Sequence, residues 1–320
     1  MIVRLVVKAD ATRVMGTGHV MRSCVIAESA ISVGIKTIFI GNLDGIEWLK
    51  VKIQKIGFIQ IMSDFSSFVL NESEDVLILD SYDISDSWLL ELNWLGKIVI
   101  VDPVSPNFHA DLRIHTGLED DWTSGDESQF YGKGEFLLVR KELREITCVD
   151  KSDKSLLEIL VTGGGSDPYN FCGEISSIIS KFDSNFSVSI ISDQPELVIQ
   201  DPRFSVHPTG ESLVNLLPKI DLVLAPASTT CLEILTLGLP LGIACVVENQ
   251  ESNYRKLTLG ELALGIGWRN PDGSWDIDVK ALIELINSKA LRSRLSHNSL
   301  GKYDALGSER IVTKLIEIYS

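Results

Sequence analysis

Twice along this chain of 320 residues a short apolar strand runs into a glycine-rich turn and then into a helical pattern, and each time the alternation continues behind it. In the first half, residues 2–7, 37–40, 76–79 and 97–101 are β-branched runs bounded by polar turns. Between them, 20–33, 48–56 and 87–95 carry apolar residues near helical spacing. The second half repeats the rhythm, with strands at 156–162, 186–191, 222–225 and 241–246 and helices at 171–181, 212–217 and 229–237. Strands joined through crossover helices pair in parallel. The expected fold is therefore α/β, with two Rossmann-like domains.

Length agrees with that reading, because a chain of this size fits two cores of about 150 residues each. The polar run Lys151-Ser152-Asp153-Lys154-Ser155 stands just before the second series. It sets the expected boundary, with a first domain over 1–150 and a second over 151–320, whose last helix near 309–319 can pack back onto the first. Opposed glycine loops in two such domains predict one ligand spanning an interdomain cleft.

Charge narrows the choice of ligand. There are 29 Lys and Arg against 44 Asp and Glu, a formal net charge of -15, which disfavours nonspecific binding to nucleic acid. An anionic ligand would need local devices such as helix N-termini and backbone N–H groups. The five cysteines are scattered without a C-x-x-C pair, so neither structural zinc nor a disulfide framework is expected. No signal-peptide pattern opens the chain and no stretch reaches the roughly 18 apolar residues of a membrane span. A cytoplasmic protein is expected, and its oligomeric state is not written in these patterns.

The first glycine turn lies in Asp10-Ala11-Thr12-Arg13-Val14-Met15-Gly16-Thr17-Gly18-His19. Gly16 and Gly18 let backbone approach a ligand closely, and the loop falls at the carboxyl end of a strand, where ligands of open α/β sheets bind. His19 there is either a general acid or base or a residue that only caps the turn. Asp10 could orient its imidazole or bind a sugar hydroxyl, and Arg22, one helical turn on, could face a phosphate. A plain surface ion pair is the alternative for each. The third glycine of a G-x-G-x-x-G fingerprint is missing, so no nicotinamide cofactor is expected.

In the second half, Gly163-Gly164-Gly165-Ser166-Asp167 follows a strand and precedes a helix. Its N–H groups could form a nest for anionic oxygens, or it is a tight turn in which Ser166 or Asp167 caps the helix. The segment Ser228-Thr229-Thr230-Cys231-Leu232-Glu233 also joins a strand to a helix, with hydroxyls suited to a diphosphate. Glu233 suits either ribose hydroxyls or a capping box. Asn249 and Gln250 place two side-chain amides at a further strand end, where they can fix sugar or base groups. No regular Cys/His cluster, nucleophile elbow or zinc-protease motif is present, and no metal site is expected.

Taken in order, A-D-A-x4-G-T-G-H-V-M-R at 9–22, D-S-Y-D-I at 80–84, V-D-P at 101–103, G-G-G-S-D-P-x-N at 163–170, S-T-T-x-x-E at 228–233 and E-N-Q at 248–250 resemble one family. It is the UDP-2,4-diacetamido-2,4,6-trideoxy-β-L-altropyranose hydrolase family of pseudaminic acid biosynthesis. The resemblance implies a GT-B-like fold, a UDP-sugar substrate and release of UDP by water without a metal. It implies His19 as the catalytic residue, UDP over Gly164, Ser166, Ser228, Thr229, Glu233, Asn249 and Gln250, and Asp80 and Tyr82 near the sugar. The sequence departs from the pattern at Ile114-His115-Thr116-Gly117, where the family leads one to expect an asparagine-containing segment. A GT-B glycosyltransferase and a noncatalytic nucleotide-sugar-binding protein are the two rival readings of the same residues.

Overall fold

A computed structural model describes residues 3–81, 88–101, 110–118, 130–146 and 156–319. The chain forms two compact units, one made of Met1–Val139 with Ala305–Ser320 and the other of Arg140–Asp304. The polar run at 151–155, which set the sequence boundary, lies outside the described residues.

The first unit runs β1 (Arg4–Ala9), α1 (Gly18–Ser32), β2 (Lys36–Ile40), α2 (Glu47–Ile56), β3 (Gln60–Met62), β4 (Asp75–Asp80), α3 (Trp88–Glu91), β5 (Gly96–Val101), β6 (Leu112–His115) and β7 (Phe130–Tyr131). Its sheet has the order β3-β2-β1-β4-β5-β6-β7 and every described pairing is parallel. The strand order reverses between β1 and β4, so the crevice outside their carboxyl ends is the switch point of the sheet. Apolar clusters cover both sheet faces. Val7, Phe39, Ile78 and Ile100 pack with α1 and α2 on one face, and Val6, Ile38, Leu77 and Val99 pack with Leu89 and Trp94 on the other.

The second unit runs α4 (Lys141–Arg144), β8 (Leu157–Thr162), α5 (Phe171–Ile179), β9 (Phe186–Ile191), β10 (Phe204–His207), α6 (Ser212–Leu216), β11 (Leu222–Pro226), α7 (Thr229–Leu235), β12 (Leu241–Cys245), α8 (Glu251–Leu259), β13 (Leu264–Arg269), β14 (Trp275–Ile277), α9 (Val279–Asn287) and α10 (Lys289–Ser299). The sheet order β10-β9-β8-β11-β12-β13-β14 repeats the first unit's plan, with its switch point between β8 and β11 and only the edge strand β14 antiparallel. The last helix, α11 (Gly307–Tyr319), belongs to the first unit. It packs along α1, where Ser29 donates to Ser308 at 2.8 Å. Its start lies so close to the Phe136–Leu137 backbone that a Cβ on Gly307 would come within 2.3 Å of the Leu137 carbonyl oxygen.

Three strands in each sheet go beyond the four read from sequence. β3 and β10 are edge strands of three and four residues, mostly solvent-facing and too short for periodicity to mark them. β13 carries Gly265 and Gly267, which dilute its pattern. A Cβ on Gly265 would meet the Tyr254 hydroxyl, and Gly267 has φ +148° beside a register shift against β12. The expected helix at 87–95 is shorter, ending at Glu91, and Trp94 turns back to donate its indole N–H to the Leu89 carbonyl at 2.7 Å.

Candidate functional site

In the first unit the chain leaves β1 through a turn closed by the Gly16 N–H on the Thr12 carbonyl at 2.9 Å. Gly16 sits at φ +87°, a backbone region that a side chain would strain. The turn delivers His19 into the first turn of α1, where it is 6% exposed. β4 lies next to β1 with Asp80 opposite Ala9, so the Asp80 carboxylate emerges at the same strand end. Its Oδ1 stands 2.6 Å from His19 Nδ1. Arg22, one helical turn beyond His19, forks onto the same carboxylate through Nη2 to Oδ1 at 2.7 Å and Nε to Oδ2 at 3.0 Å.

A carboxylate only accepts, so the short contact places the imidazole proton on Nδ1 and the basic lone pair on Nε2. Burial by itself pushes the Asp80 carboxyl up. The charges of Arg22 and His19, with their hydrogen bonds, outweigh that and hold it below the usual carboxylate range. The site therefore contains an ionised, buried carboxylate that fixes both the orientation and the tautomer of a histidine at a sheet switch point.

Asp10, the sequence candidate for orienting His19, has a different place. It pairs with Lys8 at 2.6 Å and accepts from the Asn42 N–H at 2.7 Å, which ties the end of β1 to the end of β2. Arg22 likewise lies on Asp80 and not on the surface, with 11% of its side chain exposed. Tyr82 lies outside the described residues.

In the second unit the two loops singled out in the sequence flank the switch between β8 and β11. Gly164, at φ +92°, accepts no side chain easily, and the nearest atom to a Cβ there would be Thr230 Oγ1 at 4.0 Å. The glycine loop and the start of α7 are thus neighbours. The Asp167 carboxylate accepts from the Phe171 and Cys172 N–H groups at 2.8 and 3.0 Å, so the N-terminus of α5 is capped by the chain's own anion. Ser228 stands at the N-cap of α7 without making the usual side-chain cap bond. The hydroxyls of Ser166 and Ser228 are both buried and have no hydrogen-bond partner among the described residues, an arrangement that ordinarily marks a missing acceptor or donor.

Glu233, 4% exposed, forms neither a capping box nor an open carboxylate. Arg140 donates to it three times, from its backbone N–H at 3.1 Å, from Nε at 2.8 Å and from Nη2 at 2.6 Å. Nothing local in the sequence signals this pair, since 93 residues separate its members. Asn249 and Gln250 lie in a single helical turn after β12, and Gln250 uses its side-chain oxygen to accept from the Val246 N–H at 3.1 Å. Among the described residues no three His, Cys, Asp or Glu side chains gather as metal ligands, and no helix is long and apolar enough to cross a membrane.

No protein-family model matches the chain. An uncharacterized protein of Methanocaldococcus jannaschii is 24% identical over an alignment of 284 residues that covers 78% of this chain, and the chain spans 57% of that protein's length. Among solved structures, MurG of Acinetobacter baumannii superposes with a TM-score of 0.65 at 13% identity, covering 98% of this chain and 99% of its own. A spinosyn rhamnosyltransferase complexed with thymidine diphosphate gives 0.65 at 10% identity, with 98% and 100% covered. MnaA from S. aureus with UDP gives 0.64 at 12% identity, with 98% and 96% covered. The chain has the α/β fold of the GT-B glycosyltransferases.

Proposed function

We propose that this protein is a nucleotide-sugar hydrolase that releases UDP from the anomeric carbon of a UDP-linked sugar. The observation that carries the reading is the Asp80-held imidazole of His19 at the β1/β4 switch point. Nε2 takes a proton from water as its oxygen bonds to the anomeric carbon, the bond from that carbon to the diphosphate breaks, and UDP leaves with the electron pair. Gly16 and Gly18 let backbone come close to the sugar, Asp80 stands on its side, where the resemblance also implies Tyr82, and Asp10 shapes the end of β1.

The second unit takes the nucleotide in this reading. Ser166 and Ser228 give their buried hydroxyls to the diphosphate, with Thr229 and the Gly164 loop beside them, so charge developing on the leaving group meets preorganised dipoles. Glu233, already fixed by Arg140, keeps acceptor capacity for ribose hydroxyls, and Asn249 and Gln250 border the base or sugar. The ordered motifs shared with the diacetamido-trideoxy sugar hydrolases support such a sugar and a place in pseudaminic acid biosynthesis in the cytoplasm, with no cofactor and no metal.

Transfer to a sugar or aglycone hydroxyl is the second reading, favoured by similar structures described as glycosyltransferases. Incubation with a panel of UDP-sugars in the absence of any acceptor decides between them. Stoichiometric free UDP and free sugar over many turnovers are expected. Turnover that appears only when an acceptor is added overturns hydrolysis in favour of transfer, and saturable UDP binding with no turnover under either condition overturns both.

A further inference from the structure

Glu233 shares a face of α7 with Thr229 and Thr230, one helical turn before it. Thr230 Oγ1 is the atom nearest to a Cβ on Gly164, at 4.0 Å, so the carboxylate belongs to the side of the helix that the glycine loop approaches. A carboxylate accepts at about four positions, two on each oxygen. The Arg140 backbone N–H and Nε both donate to Oε1, at 3.1 and 2.8 Å, and fill that oxygen, while Nη2 donates to Oε2 at 2.6 Å. Among the described residues nothing else donates to this carboxylate, so a single acceptor position is left, on Oε2. The planar guanidinium and the backbone N–H hold both oxygens in place, with 10% of the Arg140 and 5% of the Glu233 side chain exposed.

A ribose offers two neighbouring hydroxyl donors, and a carboxylate with an open edge takes both, one on each oxygen. Glu233 has no such edge, because Arg140 occupies all of Oε1 and half of Oε2. We propose that Arg140 is a positioning residue that restricts Glu233 to one ribose hydroxyl, accepted at Oε2, so that this carboxylate reads one of the two hydroxyls of a ribonucleotide and ignores the other. The inference rests on the reading of the second unit as the one that takes the nucleotide. Arg140 and Glu233 both belong to that unit, and the specificity is set by how the guanidinium divides its donors, not by the presence of a carboxylate on α7.

The test is calorimetric titration of the full-length protein with UDP, 2′-deoxy-UDP and 3′-deoxy-UDP. In the wild type one deoxy analogue should bind about ten- to hundredfold more weakly than UDP, the worth of a hydrogen bond to a charged group. In the double variant Arg140→Met with Glu233→Leu that gap should close, while the ratio for the other analogue stays as it was. Arg140→Lys replaces the planar fork by a point donor and opens an edge of the carboxylate, so the penalties for the two analogues should converge. A purely structural role for Arg140 would weaken UDP and both analogues alike and leave the ratios unmoved, which overturns the proposal. If Arg140→Lys does not fold, the wild type and the double variant decide by themselves. Two gaps that both close in the double variant, or no gap that depends on Glu233, would overturn the proposal while UDP binding upheld the nucleotide reading. Absence of UDP binding to the wild type would sink that reading and this inference with it.

Discussion

Asp80 Oδ1 lies 2.6 Å from His19 Nδ1, although 61 residues separate them. The carboxylate fixes the tautomer that leaves Nε2 basic, so Asp80→Asn should cut UDP release by about a hundredfold or more with little change in affinity for UDP. Steady-state kinetics beside calorimetric UDP titration make that comparison. Equal turnover in the variant would remove Asp80 from the chemistry.

The same pairing has a consequence for stability against pH. The Asp80 carboxyl is held below its ordinary value of 3.8, so its contribution is fully present above that value and is lost as pH falls through the lower, folded one. Urea unfolding measured between pH 7 and pH 3 should show a shallower acid loss in Asp80→Asn than in the wild type. A steeper loss would mean that Asp80 is not ionised in the fold.

His19→Gln should lower UDP release by about 10²- to 10⁴-fold, the usual contribution of one acid–base group. UDP should still bind, because the proposed nucleotide contacts all belong to the other unit. Loss of UDP affinity in step with activity would place His19 among the nucleotide contacts.

Ser166→Ala and Ser228→Ala make an unusual pair of expectations. Each removes a buried hydroxyl that has no hydrogen-bond partner among the described residues, so melting temperature should stay level or rise slightly. UDP affinity should fall about ten- to hundredfold for each, the worth of a hydrogen bond to a charged group. A drop in stability with unchanged affinity would assign both serines to the fold alone.

Breaking the Arg140–Glu233 pair should be costly, because Arg140→Met strands a buried carboxylate and should cost about 3–5 kcal/mol. The double variant Arg140→Met with Glu233→Leu should recover most of that loss. Chemical denaturation of the three proteins gives the coupling directly.

Gly307→Ala changes the first residue of α11, where the helix-interior preference for alanine over glycine carries little weight. Here the new Cβ would come within 2.3 Å of the Leu137 carbonyl oxygen, so α11 would have to lift and the substitution should destabilise by about 1–3 kcal/mol. Thermal unfolding reads the sign.

What was legible in the sequence was whatever is local. The alternation of apolar runs and helical patterns fixes a doubly wound α/β plan, because βαβ units have few ways to close. The turns around Gly16 and Gly164 and the position of His19 behind a strand follow from a few consecutive residues. Edge strands such as β3 and β10 escaped, since three or four residues are too few for a period of two to show. β13 escaped because its glycines make room for Tyr254 and for β14, a need set by other parts of the chain.

Tertiary structure alone decided who meets whom. Asp10, nine residues from His19, looked like its partner, yet the carboxylate on Nδ1 is that of Asp80, because β4 crosses over to pair with β1 and sets Asp80 opposite Ala9. Arg22 and Glu233 were visible as charges at helix starts, and only the fold showed that each is spent on a buried partner distant in sequence. Sequence determines which groups stand at strand ends, since that depends on backbone patterning. Strand order determines which of those groups share a crevice, and a single chain carries no local record of strand order.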